Sequence, residues 1–155
     1  LKDQAKKLGV NEERLIFATQ MQGDKHLKRI QLADLFLDTL PYNAHITASD
    51  ALRVGLPVLT CTGLSFAARV ATSLLKTVNV PELITTTKEE YESLAIELAK
   101  HPKKLKIIKN KLINNLSKSP LYNSKLFTGH LEAAYLIMYE RYKNGLNPDN
   151  IEIKH

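Results

Sequence analysis

Four short runs along the chain are apolar at most positions and bounded by turn or polar residues: Arg14 to Ala18 (RLIFA), Leu35 to Thr39 (LFLDT), Pro57 to Thr60 (PVLT) and Glu82 to Thr85 (ELIT). Each is followed by a stretch with helical spacing. Runs this short, without strict alternation, require apolar cover on both faces, which strands of a parallel sheet between helix layers receive. The pattern predicts an α/β fold built on a doubly wound parallel sheet.

The helical stretches carry their own punctuation. Thr87-Lys88-Glu89-Glu90 has the spacing of a capping box, in which hydroxyl and carboxylate each satisfy a backbone donor, and Tyr91, Leu94 and Leu98 then mark a buried face. Pro102 opens the next helix where its missing N–H costs nothing, with Leu105, Ile108, Leu112 and Leu116 along one side. A long last helix places Leu131, Tyr135, Met138 and Tyr142 in one stripe, read as core or inter-lobe packing, and stops at Asn144-Gly145. From Leu146 the chain turns polar and contains a proline. The expected organisation is one lobe over residues 1–145 and a loose polar tail over 146–155.

Length and composition set limits on this picture. A chain of 155 residues that is 44% hydrophobic holds one compact domain with a real core, and too little for two. It opens on Leu1-Lys2-Asp3 with no apolar leader, so it reads as a piece of something longer. No stretch approaches the roughly 18 apolar residues of a membrane span. Cys61 is the single cysteine, so there is no internal disulfide, and a reducing compartment, the cytoplasm, is the expectation.

The formal charge of +6 is local: seven lysines lie between Lys100 and Lys118. Clustered lysines neutralise phosphates, so a basic nucleic-acid-binding domain is one reading. The other is a solvated helix face, since the same stretch has a regular apolar stripe and no interleaved aromatics for base stacking. The solvated face is preferred.

The stretch Tyr42-Asn43-Ala44-His45-Ile46-Thr47 follows a strand-like run and precedes a helix expected to start near Thr47 and to stop before Gly55. In open parallel sheets, ligands sit outside the carboxyl ends of strands, where helix amino termini present unpaired N–H groups and a partial positive charge. Thr47 offers a hydroxyl donor and His45 a ring N–H. The plainer reading is that Thr47-Ala48-Ser49-Asp50 is simply a capping pattern, although a cap gives no reason for the imidazole of His45. Glycine-rich phosphate loops and nucleophile elbows are absent, and the histidines at 26, 45, 101, 130 and 155 lack metal-ligand spacing. An anion site here has to be built from helix ends and individual side chains.

The segments "HLKRIQLADLFLDTLPYNAHITASDALRVGLPVLT", "CTGLSFAARVATSLL" and "PELITTTKEEYESLAIELAK" resemble the carboxyl-terminal catalytic region of the O-linked N-acetylglucosaminyltransferase family, relatives of SPINDLY, in its bacterial form. The resemblance runs from about residue 14 to about residue 141. It implies that the chain is most of the second Rossmann-like lobe of a GT-B glycosyltransferase, which grips UDP-N-acetylglucosamine while the acceptor is a protein Ser or Thr hydroxyl. By position, His45, Thr47 and Asp50 correspond to the family's HTTxxD element, with the helix start on the diphosphate and the acid on the ribose. His26 and Arg29 match its HxxR element along the uridine.

Three departures accompany the resemblance. Ile46 replaces the first threonine and contributes through its backbone only, removing a hydroxyl worth about 1.5–3 kcal/mol where it would meet a charged oxygen. Gly23 stands where animal members have lysine, and Arg53 where tryptophan is usual, so another nucleotide sugar such as GDP-fucose remains an alternative donor. The implied chemistry is inverting transfer without metal or cofactor, in which His45 and Thr47 stabilise charge on the departing diphosphate. The resemblance assigns the groups that handle the acceptor to a first lobe, and recruitment of protein acceptors to tetratricopeptide repeats, neither of which this chain contains. A degenerate, non-catalytic member is the other reading of Ile46 and Gly23.

Overall fold

The computed structural model describes residues 1–153. Three parallel strands form the sheet among them, in the order β1 (Phe36–Leu37), β2 (Val58–Cys61) and β3 (Ile84–Thr85). Phe36 lies opposite Val58, and Thr60 opposite Ile84. All four residues of β2 are buried. Because successive strand side chains point to opposite faces, both faces of the central strand are covered, as the continuous apolar run required.

The crossovers are helical. α3 (Ile46–Arg53) joins β1 to β2, α4 (Val70–Thr77) joins β2 to β3, and α5 (Lys88–Lys100) and α6 (Pro102–Leu116) follow β3. Ala48, Ala51 and Leu52 of α3, Leu75 of α4, Leu98 of α5, and Ile108 and Leu112 of α6 meet Val58 in one core. Small alanines on the buried side of α3 let it lie close to its neighbours. The helix stops as the sequence requires: Gly55, at φ +77°, lets its own N–H reach Leu52 and that of Leu56 reach Ala51, a Schellman ending.

The capping box at Thr87 and Glu90 forms, and Pro102 opens α6 with Ile108 and Leu112 buried and Leu105 and Leu116 packed against the core. The lysines of α6 stay on its outer side, where Lys104 pairs with Glu97 at 2.6 Å and Lys111 with Glu82 at 2.8 Å. No helix among the described residues is long and apolar enough to cross a membrane.

Two expectations are corrected. RLIFA is no strand: Glu12–Arg14 form a short 3-10 turn, and Ile16 and Phe17 are 89% and 60% exposed. An extended segment becomes a strand by exchanging N–H and C=O groups with a neighbour, and none of the described residues pairs with it. The stripe on α7 (Ser124–Lys143) is no core either, since none of that helix is buried and Tyr142 is 82% exposed. Helical period tells which side is apolar but not what covers it. Beyond α7 the chain folds back, with the Arg141 guanidinium donating to the Asn147 carbonyl at 2.7 Å and lying 3.5 Å from Asp149. Positions 154 and 155 of the expected tail, His155 among them, lie outside the described residues.

Candidate functional site

The site grows from the carboxyl end of β1. Asp38, the residue after the strand, is only 4% exposed, and a buried polar side chain persists where its hydrogen bonds are met. Its Oδ1 accepts the backbone N–H groups of Thr39 at 2.8 Å and Ala44 at 2.6 Å. Its Oδ2 accepts the hydroxyl of Thr60, in β2, at 2.6 Å. Thr85 of β3 donates its own hydroxyl to the Thr60 carbonyl at 2.9 Å, and the Tyr91 hydroxyl of α5 donates to the Asp38 carbonyl at 2.9 Å. Burial above all, with Asp38 and Cys61 adding to it, pushes the Tyr91 phenol above its ordinary value.

Between Asp38 and α3 the chain makes a tight loop through a cis Leu40–Pro41 bond. The Thr39 hydroxyl donates to the Tyr42 carbonyl at 2.7 Å, and the backbone N–H of the buried Asn43 donates to the Ala67 carbonyl at 2.9 Å. Ala67 belongs to the loop after β2. That loop closes on itself where the Gly63 N–H donates to Ala68 at 2.7 Å, and a Cβ at Gly63 would lie 2.6 Å from the Ala68 Cβ, which only glycine avoids.

His45 is held by its neighbours. Its ring stacks on Tyr42, with centroids 4.9 Å apart, and meets the edge of Phe66 at 6.1 Å. Its Nε2 lies 3.5 Å from the Ala67 carbonyl, at the far limit of a hydrogen bond.

α3 starts within one residue of the expected position, without the Thr47–Asp50 cap of the plainer reading. The helix begins at Ile46 with His45 as its cap residue, and no side chain caps it. Thr47 is therefore the second helical residue, too far along to cap the helix, and no Thr47–Asp50 box forms. The first bond of the helix ladder runs from the Ser49 N–H to the His45 carbonyl at 3.0 Å. The N–H groups of Ile46, Thr47 and Ala48 precede that bond and have no acceptor within the helix, so the end carries partial positive charge. Ile46 and Thr47 are exposed, and Asp50 is half-buried one turn on. The Tyr122 hydroxyl donates to the Ser49 carbonyl at 2.6 Å, steadying the helix from behind. Burial raises the Tyr122 phenol and Asp50 adds to that, while the Ser49 bond and Arg53 oppose it.

His26 and Arg29 come together on α2 (Gly23–Ile30), which packs against α3. An Arg29 nitrogen lies 3.1 Å from His26 Nδ1. Arginine only donates, so Nδ1 is the acceptor where this contact is a hydrogen bond. The other terminal nitrogen of Arg29 donates to the Thr19 carbonyl at 2.6 Å. Among the described residues no hydrogen bond joins this pair to His45, Thr47 or Asp50. Gly23 opens α2 with free space where a side chain would stand, and Arg53 is exposed in the last turn of α3. No three His, Cys, Asp or Glu side chains among the described residues gather as metal ligands do.

Sequence reasoning missed Asp38, Asn43 and the Phe66–Ala67 buttress. An aspartate inside an otherwise apolar run was the one readable signal, and nothing local pairs it with Thr60.

A parallel sheet with an uncapped helix start at the carboxyl end of a strand is the arrangement of a Rossmann-like lobe. The chain belongs to glycosyl transferase family 41, whose family model matches residues 1–131. It is 35% identical over 143 residues to a UDP-N-acetylglucosamine–peptide N-acetylglucosaminyltransferase of Caenorhabditis elegans, covering 92% of this chain and 12% of that protein. With a probable transferase of the same description, SPINDLY of Petunia hybrida, it shares 38% identity over 77% of this chain and 13% of the relative. A solved structure of a Thermobaculum terrenum O-GlcNAc transferase mutant superposes with a TM-score of 0.80 at 33% identity, covering 89% of this chain and 26% of that one. The chain thus spans about an eighth of the length of these two curated relatives.

Proposed function

We propose that this chain is the donor-binding half of the catalytic region of a glycosyltransferase that moves N-acetylglucosamine from UDP-N-acetylglucosamine to Ser and Thr hydroxyls of proteins, with inversion and without metal. The observation that carries the reading is the start of α3, where backbone N–H groups without a side-chain cap stand beside the exposed Thr47 hydroxyl and a fixed His45. Such an end binds a diphosphate in the ground state. As the sugar departs, negative charge grows on that diphosphate, and donors already aimed there stabilise the transition state without reorganising.

In this arrangement Thr47 and the backbone N–H of Ile46 donate to phosphate oxygens, with His45 beside them. Asp50 accepts from ribose hydroxyls, and His26 with Arg29 lies along the uridine. The names of the relatives support the donor and the acceptor class. Acceptor handling falls to a first lobe, acceptor recruitment to tetratricopeptide repeats, and the apolar stripe of α7 to packing against the rest of the catalytic region. The setting is cytoplasmic, which suits a single unpaired cysteine.

Isothermal titration of the full-length protein with UDP and with GDP tests this. Binding selective for UDP, weakened about tenfold or more by Asp50→Ala through loss of a hydrogen bond to a charged group, is the expected result. Absence of binding by either nucleotide overturns the reading.

A further inference from the structure

We infer that Asp38 is a positioning residue for the donor site: its buried side chain sets the loop over residues 39–45, and through it the aim of the α3 amino terminus. This inference rests on the donor-site reading above. Among the described residues Asp38 makes no hydrogen bond to α3, and its link to that helix passes through Ala44, the residue just before the His45 cap.

Three features of the geometry point this way. First, Oδ1 accepts from Thr39 and from Ala44, the first residue of the loop and the last before the cap, so one oxygen closes the loop like a staple. Second, Oδ2 is tied to Thr60, which is fully buried in the central strand. The staple is thereby referred to the sheet rather than to the surface. Third, the Asp38 carbonyl takes the Tyr91 hydroxyl from α5, so the residue is fixed by both its backbone and its side chain.

The consequence is specific. With Ala44 held, His45 becomes the cap residue at φ −104°, ψ −87°, and the ladder starts one residue ahead of Thr47. The Thr47 hydroxyl is then excluded from capping and left for a ligand. Release of Ala44 frees the loop to shift, and the sequence pattern Thr47 to Asp50 offers a competing cap that would consume the hydroxyl the donor needs. A residue that merely stabilised the fold would not discriminate between these two helix starts.

The test compares hydrogen–deuterium exchange of peptides covering 39–49 and 56–61 in the full-length protein, together with UDP affinity by titration, for wild type, Asp38→Ala, Asp38→Asn and Thr60→Val. In Asp38→Ala the peptide over 39–49 is expected to exchange about tenfold or more faster, the β2 peptide to stay protected, and UDP affinity to fall about tenfold or more, as loss of the three hydrogen bonds the carboxyl group accepts predicts. Asp38→Asn keeps an oxygen for both N–H groups and can donate to the Thr60 hydroxyl, so it is expected to restore both readouts to within about threefold. Unchanged exchange over 39–49, or unchanged UDP affinity where wild type binds, overturns the inference. Should Asp38→Ala fail to fold, Thr60→Val and Asp38→Asn decide: faster loop exchange in the first and near-wild-type exchange in the second support the role, and equal exchange in Thr60→Val and wild type counts against it. If wild type binds no UDP, the donor-site reading fails, and with it the part of the inference that concerns the donor, while exchange still decides whether Asp38 holds the loop.

Discussion

Two helices of this lobe, α3 and α5, leave the carboxyl ends of the two outer strands, β1 and β3, with the same signature, a threonine followed three residues later by an acid. They use it in opposite ways. In α5 the Thr87 hydroxyl accepts the Glu90 N–H at 3.1 Å and the Glu90 side chain returns to the Thr87 and Thr86 N–H groups at 3.3 and 2.9 Å. The box is complete, and the threonine hydroxyl is engaged in it. In α3 the helix starts ahead of its threonine, and the end is open.

What differs is how each helix is approached. β3 runs almost directly into α5, so Thr87 keeps the extended backbone, φ −127° and ψ 160°, that a capping residue needs. α3 is reached through a loop pinned by Asp38 and by the Asn43–Ala67 bond, and that loop delivers His45 to the cap position. The lesson is that a capping motif is an offer, and the tertiary structure decides whether it is taken.

The comparison can be broken most strongly at Thr47. Thr47→Ala is expected to lower UDP affinity by about tenfold or more, the worth of a hydrogen bond to a charged oxygen, while leaving the thermal midpoint unchanged because no cap is lost. Paired titration and thermal melts read both. A fall in stability without a fall in affinity would mean that Thr47 caps after all.

Thr87→Ala is the mirror experiment. It removes a working cap, so about 1 kcal/mol of stability should go, a shift of a few degrees in the thermal midpoint, with UDP affinity untouched. Equal behaviour of the two variants would erase the distinction between the helices.

The smallest effect is in pH. Hydrogen bonds from Thr86, backbone first and then hydroxyl, followed by the Thr87 N–H, hold the exposed Glu90 carboxyl below its ordinary value. A carboxyl depressed in the folded state contributes stability above its unfolded value, near 4.5, and that contribution is lost as pH falls through the lower folded value. Amide signals of Thr87 and Glu90, followed by NMR from neutral pH downwards, should therefore report fraying of α5 only below about 4.5. The first-turn amides of α3, which no carboxyl group binds, should show no matching transition.

The sequence by itself determined what neighbours along the chain can settle. Apolar runs located β1, β2 and β3 to within a residue or two. Gly55 ended α3, Pro102 opened α6, and Thr87 with Glu90 closed α5, because backbone preference and hydrogen bonds within four residues are local matters. His26 and Arg29 were picked out only by the family resemblance, and as residues one helical turn apart they meet at 3.1 Å.

The tertiary structure decided everything that depends on partners distant in the chain. RLIFA had the composition of a strand and found no edge to pair with among the described residues, and the stripe of α7 had a helical period but stayed exposed. Which of two like-spaced motifs, Thr47 to Asp50 or Thr87 to Glu90, would cap its helix turned on partners as distant in the chain as Asp38 and Thr60, 22 residues apart. Periodicity shows which side of an element is apolar, but only the assembled sheet supplies the carboxyl oxygen that pulls Ala44 into place and leaves the α3 amino terminus open.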